Sequence, residues 1–140
     1  MTDQFAEIIR VETHGRGLYE CTRAVTDWVR DKDIETGLLT LFCRHTSASL
    51  LIQENAAPAV RDDLESYFER IAPENPGAYR HADEGPDDMP AHIRAALTNV
   101  SLGIPIMKGN LALGTWQGIY LFEHRRPPHK REIALHLSGS

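Results

Sequence analysis

At 140 residues with 41% apolar content, the chain can bury one proper core, which predicts a single domain over 1–140 and argues against disorder. A net charge of −5 argues against nucleic acid as the main partner, and no apolar run approaches the roughly 20 residues that would cross a bilayer. The first residues carry neither a basic start nor an apolar run of the signal-peptide kind, which predicts a cytoplasmic protein.

Phe5 to Thr13 carries β-branched Ile8, Ile9 and Val11 and predicts a first strand. His14 to Gly17 is a turn, and Leu18 to Cys21 a short second strand. Thr22 is placed to cap a helix whose inner face is Val25, Trp28 and Val29. Leu38 to Arg44 is almost continuously apolar and predicts a strand covered on both faces, with Leu39, Leu41, Cys43 and His45 sharing one of them. Leu50 to Gln53 resumes the apolar pattern. Pro58 opens a second helix with Val60, Leu64, Phe68 and Ile71 as its inner stripe. A third helix over about Asp88 to Asn99 places Ile93, Ala96 and Leu97 inside.

The last third is β. Leu102 to Met107 and Leu111 to Leu113 flank a hairpin turn at Lys108 to Asn110. Gly114 to Gln117 starts a strand through His124, in which Trp116 is expected to pack rather than face solvent. Arg125 to Arg131 is a basic loop, and Glu132 to Leu137 a final strand. Helices interrupt the strands without alternating strictly with them. That pattern predicts an α+β fold with a largely antiparallel sheet and about three helices. Cys21 and Cys43 both fall in apolar, strand-like runs and predict buried free thiols.

The chemistry concentrates in Tyr79 to Ile93 (YRHADEGPDDMPAHI), where His81, Asp83 and Glu84 precede Gly85 and Pro86, and Asp87, Asp88 and His92 follow. Two prolines and a glycine forbid regular structure through its middle. This composition suits a solvated acidic loop, or a metal or acid–base site, since imidazole and carboxylate are the ligand types of zinc-like ions. Of seven histidines, His14, His129 and His136 suit surface or satisfied positions, and His124 ends a strand in a charged context. His45 ends the most apolar strand, and His92 lies in the first turns of a helix, whose positive end disfavours imidazolium. Asp83 and Asp88 are placed to hold imidazole N–H groups. Ser47 and Ser49 follow His45 as possible hydrogen-bond donors to a phosphate. Gln117 and Glu123 share one face of their strand and are open to a ligand or to structural duty.

Three segments together carry a resemblance: Arg44 to Asn55 (RHTSASLLIQEN), Asp87 to Leu97 (DDMPAHIRAAL) and Leu111 to Glu123 (LALGTWQGIYLFE). They resemble the YjbQ-type proteins, described as secondary thiamine-phosphate synthases, and the likeness covers nearly the whole chain in order. The resemblance implies a small α+β sandwich, a homotrimer, and a divalent metal, zinc foremost, on His45, His81 and His92. Three neutral imidazoles leave an open coordination position, the arrangement of catalytic zinc. The implied reaction joins a pyrimidine methyl diphosphate to a thiazole phosphate and expels pyrophosphate. Asp83, Asp88 or Glu123 would then act as base or anchor, Ser47 and Ser49 would hold the phosphorylated small molecule, and Gln117 would orient it. The competing expectations are a metal- or anion-binding module without turnover, and a phosphoester hydrolase.

Overall fold

The computed structural model describes residues 1–140. The chain runs β1 (Asp3–Thr13), β2 (Gly17–Glu20), α1 (Thr22–Asp31), β3 (Gly37–Cys43), β4 (Ala48–Glu54), α2 (Pro58–Ile71), α3 (Asp88–Leu97), β5 (Ser101–Met107), β6 (Asn110–Leu111), β7 (Gln117–Glu123) and β8 (His129–Gly139). Five strands form one sheet in the order β1-β8-β3-β5-β6, and three form a second in the order β2-β7-β4. Every strand pairing is antiparallel, giving the predicted α+β sandwich.

Period-two alternation builds the core between the sheets. Leu39, Leu41 and Cys43 of β3, Ile133, Leu135 and Leu137 of β8, and Ile104 and Ile106 of β5 form its wall on the large sheet. Ala48 and Leu50 of β4, Ile119 and Leu121 of β7, and Val25 and Val29 of α1 complete it. Each fully buried aliphatic side chain contributes about 1.5–3 kcal/mol of transfer free energy. Both cysteines are free and buried, as their apolar settings predict, and burial pushes the Cys21 thiol up to about 12. The hairpin between β5 and β6 turns on Lys108 (φ 51°) and Gly109 (φ 79°). Two successive positive φ values are what a two-residue turn matched to strand twist requires.

The strand covered on both faces is β7, not β3. Its inner face carries Ile119, Leu121 and Glu123. On the other face Tyr120 and Phe122 are buried as well, with the Phe68 ring of α2 edge-on to Phe122 at 5.4 Å. The outer face of β3 is open, with Leu38 49% and Phe42 47% exposed.

Five local expectations also change. Trp116 is 63% exposed, because it belongs to a turn and β7 begins only at Gln117, whose Oε1 accepts the Gly114 N–H. Thr22 does not cap α1; its hydroxyl donates to Glu20 and accepts the Ile119 N–H, tying the helix to β7. Only Phe68 of the α2 stripe is buried. In α3 the inward residues are Asp88, Pro90, Ala91 and Arg94, while Leu97 is 60% exposed. A helix that buries ion pairs, here Arg94 with Glu65 at 2.7 Å and Asp88 with Arg125 at 2.9 Å, hides its inner face from an apolar-periodicity reading. For the same reason β8 starts at His129 inside the basic segment, since Arg131 is buried against Glu123.

Candidate metal centre

Gly85, at φ 107°, turns the chain, and Asp87 stands at the N-cap position of α3. Pro90 is tolerated there because the first turn of a helix lacks intrahelical N–H partners anyway. Asp88 and His92 are four residues apart, so the helix presents both on one face. The preceding loop brings His81 to the same place. The Nε2 of His81 lies 2.8 Å from Asp88 Oδ2, and the Nε2 of His92 lies 3.1 Å from the same oxygen. One ligand atom from each of the three falls within 4.8 Å of the others. The imidazole rings are 5.5 Å apart between centroids.

The groups behind this cluster fix it. The Nδ1 of His92 faces the Thr46 carbonyl at 2.9 Å. A carbonyl only accepts, so Nδ1 carries a proton and Nε2 is the free ligand position. That nitrogen faces a carboxylate, another acceptor, so the space between them suits a cation: a proton or a metal. Arg125 holds the other side, with Nη1 at 2.9 Å from Asp88 Oδ1 and Nε at 2.9 Å from Asp87 Oδ2. Its Nη2 donates to the Glu84 carbonyl at 2.9 Å. Burial pushes the Asp87 carboxyl up, but the Arg125 side chain and the Arg126 N–H outweigh it and hold it below the usual carboxylate range. Two imidazoles and a carboxylate, with His92 and Asp88 each backed by an orienting partner, fit a divalent ion of the zinc type. Asp88 is the buried member, with 3% of its side chain exposed; the His81 and His92 side chains are 45% and 31% exposed, so the cluster opens to solvent.

The remaining predicted residues are placed elsewhere. The His45 ring turns toward β8, where its Nε2 accepts the Glu132 N–H at 2.7 Å, outside the three-residue cluster. Burial, then the Arg131 charge, lowers its basicity. Asp83 is exposed on the loop. Ser47 is buried and accepts from Arg131 at 3.0 Å. Ser49 is buried, 2.9 Å from His124 Nε2 and 2.6 Å from the Thr98 hydroxyl. Glu123 is fully buried and accepts from Thr13, Arg131 and two backbone N–H groups. Gln117 opens β7, at the other end of that strand from Glu123. Arg125 and the Thr46 carbonyl are site residues that composition does not reveal; the one sequence signal is an arginine directly after a buried strand, able to face the Asp87–Asp88 pair.

A cavity of about 220 Å³ adjoins the cluster, sharing His81 as a wall with Pro76, Tyr79, Pro86 and Met89.

The profile of the family described as UPF0047 protein YjbQ-like matches residues 7–140. The chain belongs to this family. It is 52% identical to a UPF0047 protein of Synechocystis over 97% of this chain and 92% of that one. It is 44% identical to the UPF0047 protein YjbQ of Salmonella typhimurium over 96% and 98%. Among solved structures, a conserved hypothetical protein of Thermus thermophilus superposes with a TM-score of 0.75 at 35% identity, over 91% of this chain and 97% of that one. A YbjQ-like protein of Sulfolobus solfataricus superposes with a TM-score of 0.91 over the full length of both chains, at 22% identity, which speaks to the fold alone. Membership in the YjbQ-like family and its α+β architecture thus agree with the three sequence segments that carry the resemblance.

Proposed function

We propose that this YjbQ-like protein is a metal-dependent enzyme acting on a small molecule, with a divalent ion, zinc foremost, on His81, Asp88 and His92. The observation that carries the reading is one buried carboxylate oxygen faced by two imidazole nitrogens, with His92 and Asp88 both oriented from behind. Asp88 stands where a third imidazole, that of His45, was expected. When bound, the ion would polarise a phosphoryl oxygen or activate a water. The chain's own part is positional: Thr46 fixes the His92 tautomer, Arg125 fixes Asp88, and the cavity beside His81 receives the substrate.

The reaction offered by the resemblance is thiamine-phosphate formation, so a pyrimidine methyl diphosphate with a thiazole phosphate is the first pair to assay, and simple phosphoesters the second. The test begins with elemental analysis of untagged protein. About one divalent ion per chain supports the centre; none after purification and reconstitution overturns it.

A second reading is a metal-binding module without turnover. What favours it is that Ser47 and Ser49, the candidates for holding a phosphate, are both buried and already bonded within the protein. Metal without turnover of any precursor or phosphoester would select it. The homotrimer belongs to the same proposal. Its support is the open face of the large sheet, where Leu38 pairs with Pro105 and Phe42 with Ala134. A monomer by sedimentation would remove it. A cytoplasmic setting suits two free buried thiols and is tested by fractionation.

A further inference from the structure

We infer that the cavity beside His81 takes an uncharged, planar ring and leaves any phosphate of the substrate outside. This rests on the proposed centre only for its orientation toward a metal; the cavity's own chemistry is independent of it. Its walls are Pro76, Tyr79, His81, Ala82, Pro86 and Met89, with no lysine, arginine, aspartate or glutamate among its lining residues. Flat prolyl and phenolic surfaces with a polarisable thioether suit the face of a ring. The Tyr79 hydroxyl donates to the Pro73 carbonyl at 2.8 Å, which fixes the phenol and spends its one hydrogen. At about 220 Å³ the cavity is smaller than the roughly 300–1,000 Å³ of sites that enclose a whole drug-sized ligand, so it holds a fragment.

Charge excludes the alternative occupant. Two guanidiniums flank the cavity without lining it: that of the exposed Arg80, between Tyr79 and His81, and that of Arg125, whose Nη2 would lie 4.0 Å from a Cβ placed on the lining residue Gly85. All three nitrogens of Arg125 are spent on Asp87, Asp88 and the Glu84 carbonyl. The same loop carries Asp83 and Glu84 on its exposed side. A phosphate entering here would find no cation among the lining residues, whereas the exposed, unpaired Arg80 on the same loop offers it a partner outside the cavity. A neutral ring needs no such partner, and its one polar edge can turn toward His81.

The experiment uses the full chain with methyl-labelled methionine, in metal-free and zinc-loaded forms whose metal content is measured on the same samples. Benzamide and nicotinamide are titrated against inorganic phosphate, and the Met89 methyl resonance is followed. Both ring compounds are expected to move it saturably in the metal-free protein, while phosphate at equal concentration leaves it in place. Ala82→Trp, which fills the cavity from an exposed position, is expected to weaken ring binding at least ten-fold, with the remaining methyl resonances unchanged. Movement by phosphate at a comparable midpoint, or no movement by either ring compound, overturns the inference. Ring binding in a protein that takes up no metal removes the metal reading and keeps this one; metal uptake without ring binding does the reverse.

Discussion

At the C-terminal end of β7, Glu123 and Arg125 enter two different polar clusters. Glu123 turns into the core, where one oxygen accepts from Thr13 at 2.6 Å and Arg131 at 2.7 Å, and the other from Arg131 and the N–H groups of His124 and Arg125. No part of this carboxylate is exposed, and only 5% of the Arg131 side chain is. Arg125 turns outward to Asp88, which keeps its second oxygen for two imidazoles at the surface. One cluster is closed, with each charge neutralised and each lone pair filled. The other is closed at the back and open at the front. A closed buried network specifies architecture, whereas an open one retains a position for something the chain does not supply.

The largest expected effect therefore falls on stability, at the closed cluster. Glu123→Ala strands the Arg131 charge inside the protein, which costs about 3–5 kcal/mol. Denaturant unfolding should show that loss, and the variant's folded fraction should still take up metal. A loss of metal with unchanged stability would reverse the assignment of the two clusters. The converse variants are His81→Ala, His92→Ala and Asp88→Asn. Each should lower metal affinity by more than the roughly 10- to 100-fold that loss of a supporting partner costs. Their unfolding midpoints should move less than that of Glu123→Ala, since Arg125 keeps Asp87 and Glu84 as partners. Calorimetric titration with zinc, read beside unfolding curves, separates the two classes.

A third prediction concerns pH, and it belongs to the closed side. Burial, then the Arg94 and Arg131 charges, lower the His124 imidazole to about 3. An unfolded histidine titrates near 6.5. The native state thus binds fewer protons, and the stability from a neutral His124 is present above about 6.5 and lost as pH falls toward 3. The slope is at most about 1.4 kcal/mol per pH unit for one group. His45 is lowered in the same direction by burial and adds to it. Between pH 6.5 and 4.5, above the carboxylate range, His124→Gln should flatten the dependence of unfolding free energy on pH. An unchanged slope would place the ring in water.

The two sides of this contrast were not equally legible. Apolar periodicity gave the inner face of β3 and the buried stripe of α1, because there burial of apolar groups alone decides the structure; the hairpin was located by its turn residues, with Asn110 falling in β6 rather than in the turn. His81, Asp88 and His92 were recognisable as chemistry-bearing residues, since they crowd one short segment around a turn. What could not be read is which carboxylates are buried. Glu123 and Asp88 look alike in sequence, and their fates depend on arginines, Arg131 and Arg125, that lie eight and thirty-seven residues away from them. A buried ion pair joins residues by charge across the fold, and neither period-two nor period-3.6 patterning carries that information. Leu97 fails for the complementary reason: an apolar side chain at the right spacing still lies outside when polar neighbours have taken the inner face, whereas Trp116 lies in the turn ahead of β7.

The smallest expected effect is also the sharpest probe of the open cluster. His45 and His92 approach each other through the backbone, since His92 leans on the carbonyl of Thr46, yet the His45 ring points to Glu132. His45→Ala deletes an acceptor whose partner N–H is only partly buried, so water replaces it at a cost of about 1 kcal/mol or less. Metal affinity in the purified protein should stay within about two-fold of the parent. That margin lies well inside the 10- to 100-fold range for loss of even a supporting partner of a metal ligand. If His45→Ala weakens zinc binding as much as His92→Ala does, the ring must leave Glu132 when metal arrives, or the same residue from another copy must complete the centre. Mixing His45→Ala with His92→Ala chains then decides between them: recovered binding in the mixed oligomer requires a shared centre, and no recovery requires a swing within one chain.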